Sequence, residues 1–88
     1  MKDIKLEEVS SPGCSHCAAF KEYWEGEAIN WPNVTFRELS LVDPEGQEMV
    51  QKHQIFASPG IIINGELFAT GGVDKIAFKK KLQELSEE

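Results

Sequence analysis

Ile4-Lys5-Leu6-Glu7-Glu8-Val9-Ser10-Ser11-Pro12-Gly13-Cys14-Ser15-His16-Cys17 decides the fold. Ile4 to Val9 reads as a strand, with Ile4, Leu6 and Glu8 on one face and Lys5, Glu7 and Val9 on the other. Ser10 to Gly13 reads as a loop. Ala18, Ala19, Phe20, Tyr23 and Trp24 then recur as in a helix running from about Cys14 to Glu25, with Gly26 as its C-cap. The only two cysteines of the chain thus stand three positions apart where a strand gives way to a helix. Residues i and i+3 share one helix face with Cβ atoms about 5–6 Å apart. A modest adjustment brings them to the ~3.5–4.5 Å of a disulfide. The unpaired N–H groups of the helix start favour a thiolate on Cys14, which makes it the expected nucleophile and Cys17 the resolving thiol.

Two other uses of the pair compete with redox chemistry. Zinc needs four ligands, and beyond the cysteines only His16 and His53 remain as histidines. His16 lies inside the pair, a poor arrangement for a Cys2His2 site. A purely structural bridge over so short a loop removes little chain entropy. The redox reading is therefore preferred.

The chain has 88 residues and a formal charge of −6. That length predicts one domain over 1–88 with a core of its own. The acidic balance argues against nonspecific nucleic-acid binding and against an anionic membrane surface. No apolar run reaches the length of a membrane span, and Met1-Lys2-Asp3-Ile4-Lys5 carries no apolar signal-peptide core. A cytoplasmic location is expected, where a cysteine pair is more often catalytic than structural.

Downstream, Trp31-Pro32-Asn33 reads as a turn and Val34 to Leu41 as a second strand. Asp43-Pro44 opens a helix that carries Met49 and Val50 inward and ends near His53, with Gly46 weakening it. Ile55 to Pro59 is a loop. Gly60 to Ile63 is a strand buried on both faces. Asn64-Gly65 is a hairpin turn leading into a strand over Glu66 to Ala69. Thr70-Gly71-Gly72 ends it, and a last helix runs from Val73 to about Leu85 with Val73, Ile76, Ala77, Phe78, Leu82 and Leu85 as its apolar positions. Ser86-Glu87-Glu88 is expected to fray. The order is β-α-β-α-β-β-α, an α/β fold. A right-handed crossover makes the first two strands parallel, the hairpin adds an antiparallel edge, and a four-stranded mixed sheet is flanked by helices on both faces.

That order, with Cys-x-x-Cys after the first strand, resembles the thioredoxin superfamily over the whole chain. The resemblance implies a thiol–disulfide oxidoreductase, with roles in electron transport and cell redox homeostasis and no cofactor. Val42-Asp43, Ile55, Ser58-Pro59 and Asn64-Gly65 look like thioredoxin's own succession. By that likeness Pro59 is cis and faces the cysteines, and the Ser58 backbone pairs with a substrate strand. Thr70-Gly71-Gly72-Val73-Asp74 looks instead like the Gly-Gly-x-Asp of glutaredoxins, which holds a carboxylate of glutathione. The alternative is a tight turn with Asp74 complementing the helix dipole. The basic residue glutaredoxins carry before the first cysteine is absent, and Lys21 is the nearest substitute. Gly13 stands where thioredoxin has tryptophan, and Ser15-His16 replaces Gly-Pro.

The implied partners are disulfide-containing proteins as substrates, and thioredoxin reductase or glutathione as electron donor, for a monomer. The alternatives are a glutathione-coupled glutaredoxin and a binding module whose cysteines hold a metal or an iron–sulfur cluster between two subunits. A histidine between the cysteines also occurs in protein disulfide isomerase. By that likeness His16, when protonated, stabilises the Cys14 thiolate and raises the potential above thioredoxin's value of about −270 mV; the alternative is an exposed, solvated imidazole with no effect. Glu8, anomalous on the Ile4–Leu6 face, matches a buried acid of these proteins. As a buried carboxylate it takes the Cys17 proton during resolution. The competing reading makes it a solvated residue at a fraying strand end, like Glu7.

Overall fold

The computed structural model describes residues 1–87. The elements are β1 (Ile4–Ser10), α1 (Ser15–Glu27), a 3-10 turn (Ala28–Asn30), β2 (Val34–Ser40), α2 (Pro44–His53), β3 (Gly60–Ile63), β4 (Glu66–Thr70) and α3 (Lys75–Glu87). The sheet order is β2-β1-β3-β4; β1 runs parallel to β2 and antiparallel to β3, which pairs antiparallel with β4. This is the expected mixed sheet.

Alternation along β1 divides the core between two faces. Ile4 and Leu6 join Ile61 and Ile63 beneath Phe20 and Trp24 of α1 and Phe78 and Leu82 of α3. Phe78 is the hub of this layer, with Phe20, Trp24 and Phe68 rings edge-on at 5.4, 6.0 and 6.1 Å. Such edge contacts set the negative face of one ring against the positive edge of another. On the opposite face Val9, Leu39, Ile55 and Ile62 form a smaller cluster against Met49 and Val50 of α2. The two positive φ angles of Asn64 and Gly65 fit a primed turn, and Asn64 locks it by accepting from the Lys5 N–H. A bulge at Phe68 shifts the β3–β4 register, which lets both Phe68 and Ala69 pack on the aromatic layer.

Several expectations are corrected. β1 does not fray before Glu8: it is paired through Ser10, and Glu7 is also buried, held by Arg37 Nη2 of β2 at 2.6 Å. α1 continues through Gly26 to Glu27 and is capped at Ala28, whose N–H reaches the Trp24 carbonyl. α3 starts later, because Asp74 Oδ1 accepts from the N–H groups of Ile76 and Ala77 at 3.0 and 3.2 Å and fixes the first turn there. Ile76 and Ala77 consequently face outward, and Ile76 is 83% exposed. Ser86 and Glu87 belong to α3. Ser86 is tied by Asn33 Nδ2, by its own hydroxyl to the Leu82 carbonyl, and by the Lys2 N–H to its carbonyl. The third residue expected to fray, Glu88, lies outside the described residues. Gly46 is a packing requirement rather than a flaw: it is buried, and a Cβ there would overlap the Ser40 carbonyl oxygen.

Candidate active site

β1 delivers the chain to Ser10, and Ser11 to Gly13 turn it through the positive φ of Gly13 into α1. Cys14 is the N-cap in extended geometry, and its sulfur accepts from the Cys17 N–H at 3.1 Å. It thereby takes the place of the usual capping oxygen and meets one of the orphan donors of the helix start. Cys17, one turn inside, is 3% exposed, whereas Cys14 is half-buried. The two are joined in a disulfide with Cα atoms 5.3 Å apart.

The Ser58–Pro59 peptide bond is cis, and Pro59 is buried. Ser58 meets the cysteines with its side chain: its Oγ donates to Cys14 Sγ at 3.4 Å and lies 2.8 Å from Ser11 Oγ. By the likeness to thioredoxin Ser58 has a backbone role, and the sequence assigns Ser11 none. A serine just before the cysteine pair and another just before Pro59 are the available signal. Gly71, at φ +83°, donates its N–H to the Pro59 carbonyl, so the glycine turn sits against this loop. The Gly72 N–H is used by the Thr70 carbonyl, and Asp74 caps α3. The N–H groups of Gly71, Gly72, Ile76 and Ala77 are thus engaged within the chain. Lys21 is also engaged, by Glu38 Oε1 at 3.2 Å.

His16 is exposed and shares a small pocket with Tyr23, Gly72 and Lys75. His53 lies half-buried on α2. Among the described residues no three His, Cys, Asp or Glu side chains converge as a metal site. On the α2 side of Ser58 runs an apolar groove of about 420 Å³ walled by Leu41, Val50, Ile55 and Phe56. Phe56 is 92% exposed there, a feature that loop composition did not reveal.

Glu8 is wholly buried, and neither carboxylate oxygen has a hydrogen-bond partner. Burial, with a further push from the Glu38 charge, moves its carboxyl up to about 7 from an ordinary 4.5, against an opposing pull from Lys21. The register pairs Glu8 with Glu38 and Ile61, which puts it on the face covered by α1; Glu7 points to the α2 side, where Arg37 also meets Glu45. A carboxyl raised in this way holds its proton at pH values where an ordinary one is ionised.

The thioredoxin domain family matches residues 3–84. A thioredoxin of Methanocaldococcus jannaschii is 31% identical over 83 residues, covering 94% of this chain and 96% of that protein. Mitochondrial thioredoxin 3 of Saccharomyces cerevisiae superposes with a TM-score of 0.75 at 17% identity, over 97% of this chain and 81% of that one. The short form of spinach chloroplast thioredoxin f gives 0.77 at 16% identity, over 97% and 78%. These two likenesses bear on the fold. Fold, disulfide and sequence relationship agree: the chain belongs to the thioredoxin family. Its Cys14–Cys17 pair makes it a thiol–disulfide oxidoreductase.

Proposed function

We propose that Cys14 is the attacking and Cys17 the resolving thiol in the reduction of protein disulfides. The observation that carries this is the unequal setting of two bonded sulfurs. Cys14 is half-exposed and takes hydrogen bonds from the Cys17 N–H and the Ser58 hydroxyl, while Cys17 is closed off from solvent. Both donors stabilise a thiolate on Cys14. That thiolate attacks one sulfur of the substrate disulfide; a Cys14–substrate disulfide forms and the other substrate sulfur leaves as thiolate. Glu8, as carboxylate, takes the Cys17 proton. The Cys17 thiolate then attacks Cys14 sulfur and expels the second substrate thiolate. Two electrons pass to the substrate, and the Cys14–Cys17 disulfide seen here is the product state. The Glu8 proton then returns to solvent or to the leaving thiolate.

Ser58, Pro59, Gly71 and Gly72 form the surface over which substrate docks, and Asp74 supports it by capping α3. The apolar groove beginning at Ser58 suits a polypeptide side chain next to the target cysteine, which favours protein disulfides over glutathione. The engagement of Lys21, Asp74 and both glycine N–H groups points the same way. The electron donor is then a thioredoxin reductase, and the protein acts as a monomer in the reducing cytoplasm, serving electron transport and redox homeostasis. No helix of the described residues is long and apolar enough to cross a membrane.

Paired assays test this reading: reduction of insulin disulfides driven by thioredoxin reductase, and by glutathione with its own reductase. Turnover is expected in the first and at most a trace in the second. Iodoacetamide mapping of the reduced protein should label Cys14 first. Faster labelling of Cys17, or turnover with glutathione alone, overturns the assignment.

A further inference from the structure

Two carboxylates are stacked side by side in the sheet beside the redox pair. Glu8 of β1 and Glu38 of β2 are in-register neighbours on parallel strands. They therefore project to the same face from backbones about 4.8 Å apart. Their surroundings differ sharply. Glu8 is fully buried with both oxygens unpartnered, whereas the Glu38 side chain is 36% exposed and held at both ends. Its Oε1 accepts from Lys21 Nζ at 3.2 Å, and its Oε2 accepts from Ser10 Oγ at 3.3 Å. Ser10, Lys21 and Glu38 line the open pocket that also contains Cys14 and Cys17. Lys21 stands one helical turn after Cys17 on α1.

The other elements around Glu8 contribute no charge. β3 places Ile61 opposite it, and α3 contributes Phe78 and Leu82 to that layer. The charged groups facing Glu8 are Glu38 from β2 and Lys21 from α1, and they act in opposite directions. A neighbouring negative charge opposes ionisation of a carboxyl group, and a positive one promotes it.

We infer that Glu38 and Lys21 are positioning residues for the resolution step, a clamped ion pair at the pocket mouth that sets the pH at which Glu8 becomes the base for Cys17. Glu38 keeps the proton on Glu8, Lys21 draws it off, and the Ser10 hydroxyl fixes Glu38 between them. This inference rests on the proposed role of Glu8 as that base. A substitution at either end changes the timing of proton transfer without touching either sulfur.

Stopped-flow reaction of the reduced protein with Ellman's reagent separates the steps. The first thionitrobenzoate is released by attack of Cys14, at a rate proportional to reagent. The second is released when Cys17 resolves the mixed disulfide, at a rate independent of reagent. The midpoint of the pH profile of the second phase is the readout. Glu38→Gln is expected to lower it and Lys21→Met to raise it, each by about one pH unit, the lower end of what an adjacent charge does to a carboxyl group. The double variant should return close to the parent. Loss of a merely structural contact would slow both variants without moving their midpoints apart. Glu8→Gln is the control. If it removes the ionisation from the second phase while Glu38→Gln and Lys21→Met leave the midpoint in place, the inference fails and Glu8 stands as base. If Glu8→Gln leaves the second phase unaltered, the base role and the inference fall together.

Discussion

Replacing Glu8 by leucine should stabilise the fold and slow the enzyme, and the stability gain should grow with pH. The carboxyl is pushed up to about 7 from 4.5, a difference of about 2.5 units. At about 1.36 kcal/mol per unit, ionising Glu8 in the native state withdraws about 3 kcal/mol. The sign follows from proton counting. Below pH ~4.5 the group is protonated in both folded and unfolded chains and the term vanishes. Between pH ~4.5 and ~7 the unfolded chain has released a proton that the folded one retains, so stability falls as pH rises. Above pH ~7 the loss is complete. Small domains have total stabilities of about 5–15 kcal/mol, so this one side chain governs a large share. The assay is urea denaturation of the oxidised parent and Glu8→Leu proteins at about pH 4 and about pH 8. The difference between them should be about 3 kcal/mol larger at the higher pH. Release of the second thionitrobenzoate should be slowed in the same variant. A stability difference that does not change with pH would refute the reasoning, since a simple packing gain has no such dependence.

His16→Pro should lower the reduction potential measured against a glutathione redox buffer, because an imidazole in the first turn of α1 favours the Cys14 thiolate and with it the dithiol form; an unchanged or higher potential would remove His16 from the redox machinery. Gly46→Ala should destabilise the protein by about 1–3 kcal/mol in a thermal or urea melt, as overpacking does. The gain of about 1 kcal/mol that alanine brings to an exposed helix interior is thereby reversed, because the new Cβ meets the Ser40 carbonyl; stabilisation would show that α2 can move away from the end of β2.

Local signals placed most of the elements. Asp43-Pro44 and the span to His53 define α2 as observed, and Asn64-Gly65 between two apolar runs gives the β3–β4 hairpin. The Cys14–Cys17 spacing marks the disulfide, and Glu8 stands out because it interrupts the apolar face of β1. What escaped depends on particular contacts, two of them between residues far apart in the chain. Glu7 is buried because Arg37, 30 residues away, satisfies its charge. Ile76 points to solvent because Asp74 fixes the helical phase with its own side chain. Ser11 and Ser58 meet across 47 residues, and Gly46 is needed because a backbone carbonyl of another element occupies the space. Composition and period carry no information about such encounters.

The bulge at Phe68 has a bearing on what happens when two copies of the chain collide. A free strand edge offers unpaired N–H and C=O groups as a template for another backbone, the first step toward cross-strand aggregation. β4 is such an edge, it is five residues long, and its tip carries the partly exposed Leu67. By shifting register between Ile61 and Ile62, the bulge interrupts the ladder near the middle of that strand. The outward row of backbone groups is bent and out of step there, so a straight strand can match only a fragment of it. The same irregularity that turns Phe68 into the aromatic layer therefore blunts the sheet edge against adhesion.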